Sequence, residues 1–216
     1  MRFSVPVWDR RYIPAALSAV AVGRMLGFDF DEIAAALAKY DAAPMRCEVI
    51  EIRGALIIDD TRNANPAAMR PALELLRDFD VAGRRIVICG DMAEPSPTAI
   101  ALHWQFGKDI VQIGGAELVI ACGRFARHVT AGARATGLER ARAVPCETVE
   151  AAMPYIGQVV MPGDAVLVKG SPLVAMEHVI EGLKGDATRR PPVVYAMDDV
   201  ASAPPARRKS PRRRSA

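Results

Sequence analysis

The sequence has few of the residues that build metal centres or disulfide frameworks. Its 216 residues include four cysteines and three histidines, all widely spaced, and no two cysteines form a Cys-x-x-Cys pair. Three of the four cysteines lie in or beside apolar runs, where a free cysteine behaves as a small buried hydrophobe. The spacing therefore predicts neither a metal site nor a disulfide.

Long hydrophobic segments are also missing. No apolar run approaches the roughly 20 residues needed to span a bilayer, and the N-terminal residues have no apolar core followed by a small-residue cleavage site. We therefore expect no membrane span and a cytoplasmic location. Hydrophobic residues at 51% and charged residues at 25% are typical of a soluble globular protein.

The positive charge is concentrated at the end of the chain. Residues 185–216 carry eight Arg or Lys and three Asp, whereas the remaining residues carry 20 basic and 22 acidic side chains. Polar, proline-rich composition predicts that residues 185–216 form a disordered basic tail. Such a tail can attract phosphate backbones or anionic surfaces. Because no aromatic residue interleaves the basic run, we expect no specific nucleic-acid partner.

Residues 1–43 read as a short extended segment followed by two helices. Residues 15–26 repeat small and apolar side chains at helical spacing, and Gly27 ends this helix as a C-cap would. Asp29 and Glu32 form a plausible capping box for the second helix. Since no strand pattern follows the first few residues, this segment resembles the end of a larger domain.

Residues 44–184 show the pattern of an α/β domain. A half-buried strand over residues 46–53 is followed by Gly54 and a second strand, which predicts an antiparallel hairpin. From there five strands are each followed by a helix; the strands are expected at residues 55–60, 85–90, 118–122, 143–146 and 164–169, and the last helix at about residues 173–183. This alternation predicts a Rossmann-like, mostly parallel sheet with helices on both faces.

The most informative stretch is the first strand-to-helix turn of that domain. An apolar run ends in Asp59 and Asp60, and Asn65-Pro66 then opens a helix, since Asn is a favoured N-cap and Pro suits the first helical position. The paired aspartates therefore lie at the carboxyl end of a strand and before a helix N-terminus, where ligands and anions bind. Asp and Asn clusters also build turns, so position alone leaves both interpretations open.

Residues 59–69 closely resemble a family signature. They read Asp-Asp-Thr-Arg-Asn-Ala-Asn-Pro-Ala-Ala-Met, similar to the Asp-Asp-Ser-Tyr-Asn-Ala-Asn-Pro-x-Ser-Met of Mur ligases, the ATP-dependent enzymes of peptidoglycan synthesis. Residues 90–94 resemble the family's Gly-Asp-Met-x-Glu, His103 matches a His common there, and residues 169–171 resemble its Lys-Gly-Ser-Arg. The resemblance covers about residues 5–183.

The resemblance implies a reaction and a set of site residues. The closest signature belongs to the branch that joins D-alanyl-D-alanine to UDP-MurNAc-tripeptide, so these two molecules and ATP are the expected ligands. ATP would contact Arg46, Asp60, Asn63 and Asn65. The substrate would contact Asp91, Glu94, Lys169 and Ser171. Carboxylates suit ribose hydroxyls and Arg or Lys suits phosphate charge, although Asp91 and Glu94 could instead cap a helix.

Other parts of the family pattern are missing. No Gly-x-x-Gly-Lys-Ser/Thr loop occurs in the sequence, and residues 1–43 resemble only a remnant of the family's central ATPase domain. The resemblance thus implies that the missing central domain would hold Mg²⁺ and the ATP phosphates, and that a separate chain carrying the missing domains is a candidate partner. Thr61-Arg62 replaces the family's Ser-Tyr, and Pro172 replaces the Arg after Lys-Gly-Ser. We expect this chain alone to be inactive as a ligase.

The sequence also bears on two other functions. A non-catalytic module that binds a nucleotide or a protein remains an alternative, because the departures all weaken the ATP or substrate site. A nicotinamide-dependent oxidoreductase is disfavoured. Its dinucleotide fingerprint requires glycines in the first strand-to-helix turn, and residues 59–66 contain none.

Overall fold

The computed structural model describes residues 3–10, 12–41, 43–93 and 97–184, together with the backbone of two short strands further on. The chain divides into two compact units, one formed by Met1–Asp41 with Val193–Ala216 and the other by Ala42–Pro192. In chain order the elements are β1 (Ser4–Pro6), α1 (Tyr12–Met25), α2 (Phe30–Ala38), β2 (Glu48–Ile52), β3 (Ala55–Asp60), α3 (Pro66–Asp78), β4 (Arg85–Cys89), α4 (Ala99–Gln112), β5 (Leu118–Cys122), α5 (Ala126–Ala135), a 3₁₀ turn (Arg140–Arg142), β6 (Ala143–Cys146), α6 (Val149–Val159), β7 (Ala165–Lys169), α7 (Glu177–Leu183), β8 (Ala187–Arg189) and β9 (Val194–Ala196).

The smaller unit contains α1, α2 and a two-stranded ribbon in which β1 pairs antiparallel with β9. The predicted capping box is present at the start of α2. The Asp29 carboxylate accepts a hydrogen bond from the Glu32 backbone at 2.8 Å, and the Glu32 carboxylate accepts one from the Asp29 backbone at 2.9 Å. These bonds satisfy two helix-terminal donors that have no partner within the helix.

The larger unit is built on a seven-stranded sheet in the order β6-β5-β4-β7-β3-β2-β8. Strands β3 to β7 are mutually parallel, while β2 runs antiparallel to both β3 and β8. The predicted α/β fold with a mostly parallel sheet is thereby confirmed. The β2–β3 hairpin turns through Arg53 and Gly54, whose φ angles of 50° and 77° are those of a two-residue turn with positive φ at both positions.

Helices cover both faces of this sheet. Every residue of β3, β5 and β7 is buried, as expected for strands of a parallel sheet packed between two helical layers. On one face Ile57, Ile88 and Val168 form a cluster with Ile156 of α6 and Ile180 of α7. Helix α3 contacts β7 and α4, and α4 packs closely against α5.

The starts of β4 and β7 are joined by a buried carboxylate. Asp164 accepts hydrogen bonds from the Arg84 backbone at 2.8 Å and from the Arg84 guanidinium at 2.7 Å. Burial tends to raise the pKa of Asp164, but the hydrogen bonds from Arg84 and Met161 outweigh it and hold that pKa below its ordinary value. This contact fixes the amino ends of two central strands, so their carboxyl ends are held side by side.

The structure differs from the sequence predictions at the end of the chain. Helix α7 begins at Glu177 rather than near residue 173, because Ala175 takes a φ of 49°, which is incompatible with a right-handed helix. Residues 185–216 were predicted to be disordered, yet Ala187–Arg189 pairs with β2 and Val194–Ala196 pairs with β1. The rest of that tail lies outside the described residues. No helix in the described ranges is long and apolar enough to cross a membrane.

Candidate functional site

The candidate site is organised around Lys169, the last residue of β7. In the parallel register Lys169 lies beside Asp60 of β3 on one side and Cys89 of β4 on the other. Its ammonium Nζ lies 2.5 Å from Asp60 Oδ2 and donates a second hydrogen bond to the Asn63 carbonyl at 2.8 Å. Only 1% of Lys169 is exposed. A buried charge requires such compensation, so Lys169 fastens the β3–α3 loop to the central strand.

The β3–α3 loop has its own internal bonds. Asp59 Oδ1 accepts hydrogen bonds from the Thr61 backbone at 3.1 Å and from the Thr61 hydroxyl at 2.7 Å. Burial raises the pKa of Asp59 despite these two bonds, which act in the opposite direction. Asn65 caps α3, as predicted, by accepting from the Ala68 backbone at 2.9 Å.

The β4–α4 loop is tied to this site through backbone bonds. The Gly90 amide donates to the Lys169 carbonyl at 2.9 Å, and the Ala93 amide donates to the Ala64 carbonyl at 3.0 Å. The loops after β3, β4 and β7 are thereby connected to one another. They therefore lie together at the carboxyl edge of the parallel strands.

His103 of α4 holds the β4–α4 loop through a hydrogen bond. Its Nε2 accepts a hydrogen bond from the Met92 amide at 3.0 Å, and its Nδ1 lies 2.7 Å from the Ala99 carbonyl. Accepting at Nε2 requires a neutral ring with the proton on Nδ1. Burial lowers the pKa of His103, although the hydrogen bond to Ala99 opposes that shift. The ring also stacks on Phe125 at a centroid distance of 4.4 Å.

Asp91 has a structural role in this arrangement. Its two carboxylate oxygens accept hydrogen bonds from the backbone amides of Arg124 at 2.8 Å and Phe125 at 3.0 Å. Asp91 therefore caps a helix, as the alternative interpretation proposed, but the helix is α5 rather than the one that follows Asp91 in sequence. This is possible because β4 and β5 are neighbours, which brings the β4 loop over the start of α5.

Ser171 contributes an unpaired polar group. Ser171 is fully buried, and its hydroxyl Oγ has no hydrogen-bond partner among the described residues. Buried hydroxyls nearly always have a partner, so each exception calls for an explanation such as a bound ligand or water. Ser171 follows Lys169 by two residues and belongs to the loop after β7.

The structure brings together Asp60, Asn63 and Lys169. Asn65 lies at the end of the same loop, and Arg46 follows Met45, whose carbonyl accepts a hydrogen bond from the Arg62 amide at 3.2 Å. The Arg46 side chain is exposed. Glu94 lies outside the described residues. Within the ranges that are described, no group of three or more His, Cys, Asp or Glu side chains is arranged to hold a metal ion.

Sequence reasoning missed two features of the site. It assigned Asp60 to ATP and Lys169 to the substrate, and did not anticipate that the two form a buried ion pair. It also gave no role to Thr61, although Asp followed two residues later by Thr is a recognisable pattern for a side-chain-to-backbone turn. The ligand roles themselves stay predictions.

These features identify an α/β domain with a loop-built site at the carboxyl edge of its sheet. Residues 45–172 match the family model described as "Mur ligase, glutamate ligase domain". The chain belongs to the Mur ligase family and carries the family's C-terminal domain.

Within this family, the chain matches ligases that share one name. The chain is 31% identical over 185 residues to the UDP-N-acetylmuramoyl-tripeptide–D-alanyl-D-alanine ligase of Escherichia coli and 30% identical over 200 residues to that of Mycobacterium leprae. These matches cover 85% and 86% of this chain but 39% of each relative. The chain therefore spans about two fifths of the length of the curated relatives it matches.

Solved structures of MurF also resemble this chain, again over part of their length. A crystal structure of MurF from Acinetobacter baumannii superposes with a TM-score of 0.71 at 28% identity and covers 81% of this chain and 38% of that protein. MurF from Thermotoga maritima in complex with ADP has a TM-score of 0.66 at 25% identity, over 82% of this chain and 38% of that protein.

Proposed function

We propose that this chain provides the C-terminal domain for an ATP-dependent ligation that joins D-alanyl-D-alanine to UDP-MurNAc-tripeptide. The observation that carries the proposal is the buried ion pair between Asp60, in the signature of residues 59–69, and Lys169 of β7, in a chain whose relatives are named for this reaction. The ion pair gives the loop one defined conformation before any ligand arrives. A ligase must position a nucleotide and an amine, and polar groups that are fixed in advance can do so.

Asp60 is the proposed contact for the ATP ribose. Its Oδ2 accepts a hydrogen bond from Lys169, so Oδ1 is the oxygen that we assign as the acceptor for a ribose hydroxyl. Lys169 is 1% exposed, so in this conformation it acts through Asp60 as a positioning residue. Asn63 and Asn65 shape the same loop, and the exposed Arg46 is the proposed contact for phosphate charge.

Ser171 is the proposed contact for the carboxylate of D-alanyl-D-alanine. Its unpartnered buried hydroxyl would gain the acceptor that it lacks when that carboxylate binds. Asp91 and Glu94 remain proposed substrate contacts, and Asp91 in addition holds α5. When ATP is bound it supplies the phosphoryl group that activates the tripeptide carboxyl. We assign no described residue as a Mg²⁺ ligand, and we place the metal and all triphosphate contacts other than Arg46 on the part of the relatives that this chain does not match.

The proposal is tested with a chimera. The part of the Escherichia coli ligase that this chain does not match is joined to residues 1–216, and ADP release is measured with UDP-MurNAc-tripeptide, Mg²⁺ and D-alanyl-D-alanine. We expect D-alanyl-D-alanine-dependent turnover from the chimera and none from the 216-residue chain. Ser171→Ala should raise the KM for D-alanyl-D-alanine, while Ser18→Ala, an exposed serine on α1, serves as the matched control.

Two outcomes contradict the proposal. Turnover by the 216-residue chain alone would show that ligation does not need the part of the relatives that this chain does not match. A folded chimera that binds UDP-MurNAc-tripeptide but never releases ADP would instead favour a non-catalytic binding module. The specific feature in favour of that alternative is Pro172, which follows Ser171 and has neither a side-chain charge nor an N–H for an anionic ligand.

A further inference from the structure

A second concave surface lies away from the candidate site. A groove of about 880 Å³ runs between α5, the 3₁₀ turn and β6 at the outer edge of the sheet. Four arginines line it, namely Arg124, Arg127, Arg134 and Arg140, whereas Glu147 is its one acidic lining residue. We call this surface the arginine groove. Its volume is in the range of sites that hold small molecules, which is roughly 300–1,000 Å³.

The arginine charges in this groove are not neutralised by the protein. Arg134 is held in place by a hydrogen bond from its guanidinium to the Ala143 carbonyl at 2.6 Å, and its Nε has no partner. Arg127 and Arg140 are exposed, and no hydrogen bond or ion pair of their guanidinium groups occurs among the described residues. Elsewhere in the same unit arginines do pair with carboxylates, as Arg84 does with Asp164 at 2.7 Å. Four arginines against one glutamate therefore leave this surface with an excess of positive charge.

The position in the fold leaves the attraction for anions to the arginines. Gly123 and Arg124 line the groove and precede α5, but the first amides of that helix already donate to the Asp91 carboxylate, from Arg124 at 2.8 Å and from Phe125 at 3.0 Å. The groove also includes the carboxyl end of β6, at Cys146. Because β6 is three strands from β7 and neighbouring strands are spaced by about 4.8 Å, the groove is roughly 14 Å from the strand that carries Lys169.

We propose that the arginine groove is a binding site for a small multivalent oxyanion, a ligand with at least two phosphate or carboxylate groups. Guanidinium groups bind both kinds of oxyanion through paired N–H donors. Arg134 forms the fixed wall, and Arg127 and Arg140 close on the ligand from α5 and from the 3₁₀ turn. This site is separate from the proposed ligase function and does not depend on it.

Calorimetric titration of the full chain with inorganic pyrophosphate, and in parallel with citrate, tests the proposal. The basic tail would bind anions by itself, so every protein carries neutral residues at the tail positions Arg207, Arg208, Lys209, Arg212, Arg213 and Arg214. We expect saturable binding that weakens about tenfold or more in Arg127→Gln/Arg140→Gln, since two charge-assisted contacts are lost. Arg70→Gln, an exposed helical arginine on α3, is the matched control and should bind as the unsubstituted groove does.

The outcomes separate the sources of the oxyanion. Tighter binding of pyrophosphate identifies a phosphate ligand, and tighter binding of citrate identifies a polycarboxylate; either supports the site. Absence of saturable binding of both at millimolar concentration overturns it, as does an equal loss of affinity in Arg70→Gln. Arg46→Gln, which removes the proposed phosphate contact of the ligase site, should leave this binding unchanged. If it abolishes pyrophosphate binding instead, the anion is held at the ligase site and the arginine groove is refuted.

Discussion

Lys169 is the residue on which the geometry of the candidate site most depends. Lys169→Met keeps the length of the side chain but leaves Asp60 buried without its partner. Removal of one member of a buried pair costs about 3–5 kcal/mol of the free energy of unfolding, because the remaining charge is uncompensated. We expect a loss of that size in urea denaturation.

A matched double variant shows where that cost arises. Asp60→Asn together with Lys169→Met removes both charges, so it should recover a large part of the stability lost in Lys169→Met alone. If the single and double variants are equally unstable, the lost term is packing of the lysine chain rather than an unpaired aspartate.

His103 predicts a pH dependence of stability. Its pKa is lowered in the folded state by burial, so the unfolded chain binds a proton more readily. Stability from the neutral ring is fully present above the ordinary pKa of 6.5 and is lost as the pH falls below it, until the folded-state pKa is reached. We expect the urea midpoint of the wild type to fall between pH 7.5 and pH 5.5.

The control for this pH effect is His103→Leu, which has no titrating group. It should be less stable at pH 7.5 by about 1–3 kcal/mol, since the Met92 amide loses its acceptor, and the contribution of position 103 to the pH slope should vanish. An unchanged slope in His103→Leu would show that another group accounts for the titration.

Local sequence signals revealed part of this site and missed the rest. Asn65-Pro66 is a short-range cap signal, and it was predicted correctly. The Asp60–Lys169 pair joins residues 109 positions apart. No local pattern indicates that pairing, because it exists only when β7 is inserted beside β3. Which of the two adjacent aspartates would be paired could therefore not be deduced from the sequence.

At the scale of elements, the α4–α5 contact depends on two glycines. A Cβ at Gly107 would lie 1.9 Å from the Val129 carbonyl oxygen, and one at Gly132 would lie 1.9 Å from the Trp104 carbonyl oxygen. Both clashes are with backbone, so the helices would have to separate. We expect Gly107→Ala to lower the free energy of unfolding by about 1–3 kcal/mol or more, measured by chemical denaturation.

Gly157 offers the opposite result as a control. It lies in α6, and nothing occurs within 4 Å of a Cβ placed there. Gly157→Ala should stabilise the protein by about 0.5–1 kcal/mol, because alanine loses less backbone freedom than glycine in a helix. Equal effects at the two positions would show that helix propensity, rather than the close approach of α4 and α5, determines the change at Gly107.

Elements with a strong local pattern were predicted well, and those that depend on backbone conformation were not. The β2–β3 hairpin follows from alternating polarity around Gly54. The late start of α7 depends on the positive φ of Ala175, and alanine gives no sign of such a conformation. The strands at Ala187–Arg189 and Val194–Ala196 complete the open edges of β2 and β1, an effect of tertiary pairing that composition alone cannot reveal.

At the scale of the whole molecule, regular alternation of strands and helices predicted the parallel sheet but not the strand order. Strand β4 does not pair with β3, and the chain continues outward from β4 to β5 and β6. It then returns to the centre of the sheet, where β7 lies between β3 and β4. Right-handed crossovers restrict the possible topologies without selecting among them. This order matters for function, since it places Lys169 between the loops after β3 and β4.

The two compact units differ in how much apolar surface each one buries. Among the described residues of the smaller unit, the buried apolar side chains are Val5, Val7, Ala16 and Ile33, whereas the larger unit contains the extended clusters of the sheet. Most of the exposed large hydrophobic residues also belong to the smaller unit: Leu17, Val22, Met25, Leu26, Phe28, Phe30 and Tyr40. A unit with so little buried area gains little free energy from folding.

Hydrogen exchange should therefore separate the two units. We expect amides of α1 and α2 to exchange about tenfold or more faster than those of β3 and β7 in the same sample, because local opening there exposes few buried contacts. Peptide-resolved exchange followed by mass spectrometry measures both in one experiment. Ile33→Ala, which removes one of the few buried side chains of the smaller unit, should accelerate α1 and α2 further. Protection of α1 and α2 equal to that of β3 would mean that burial within the smaller unit understates its stability.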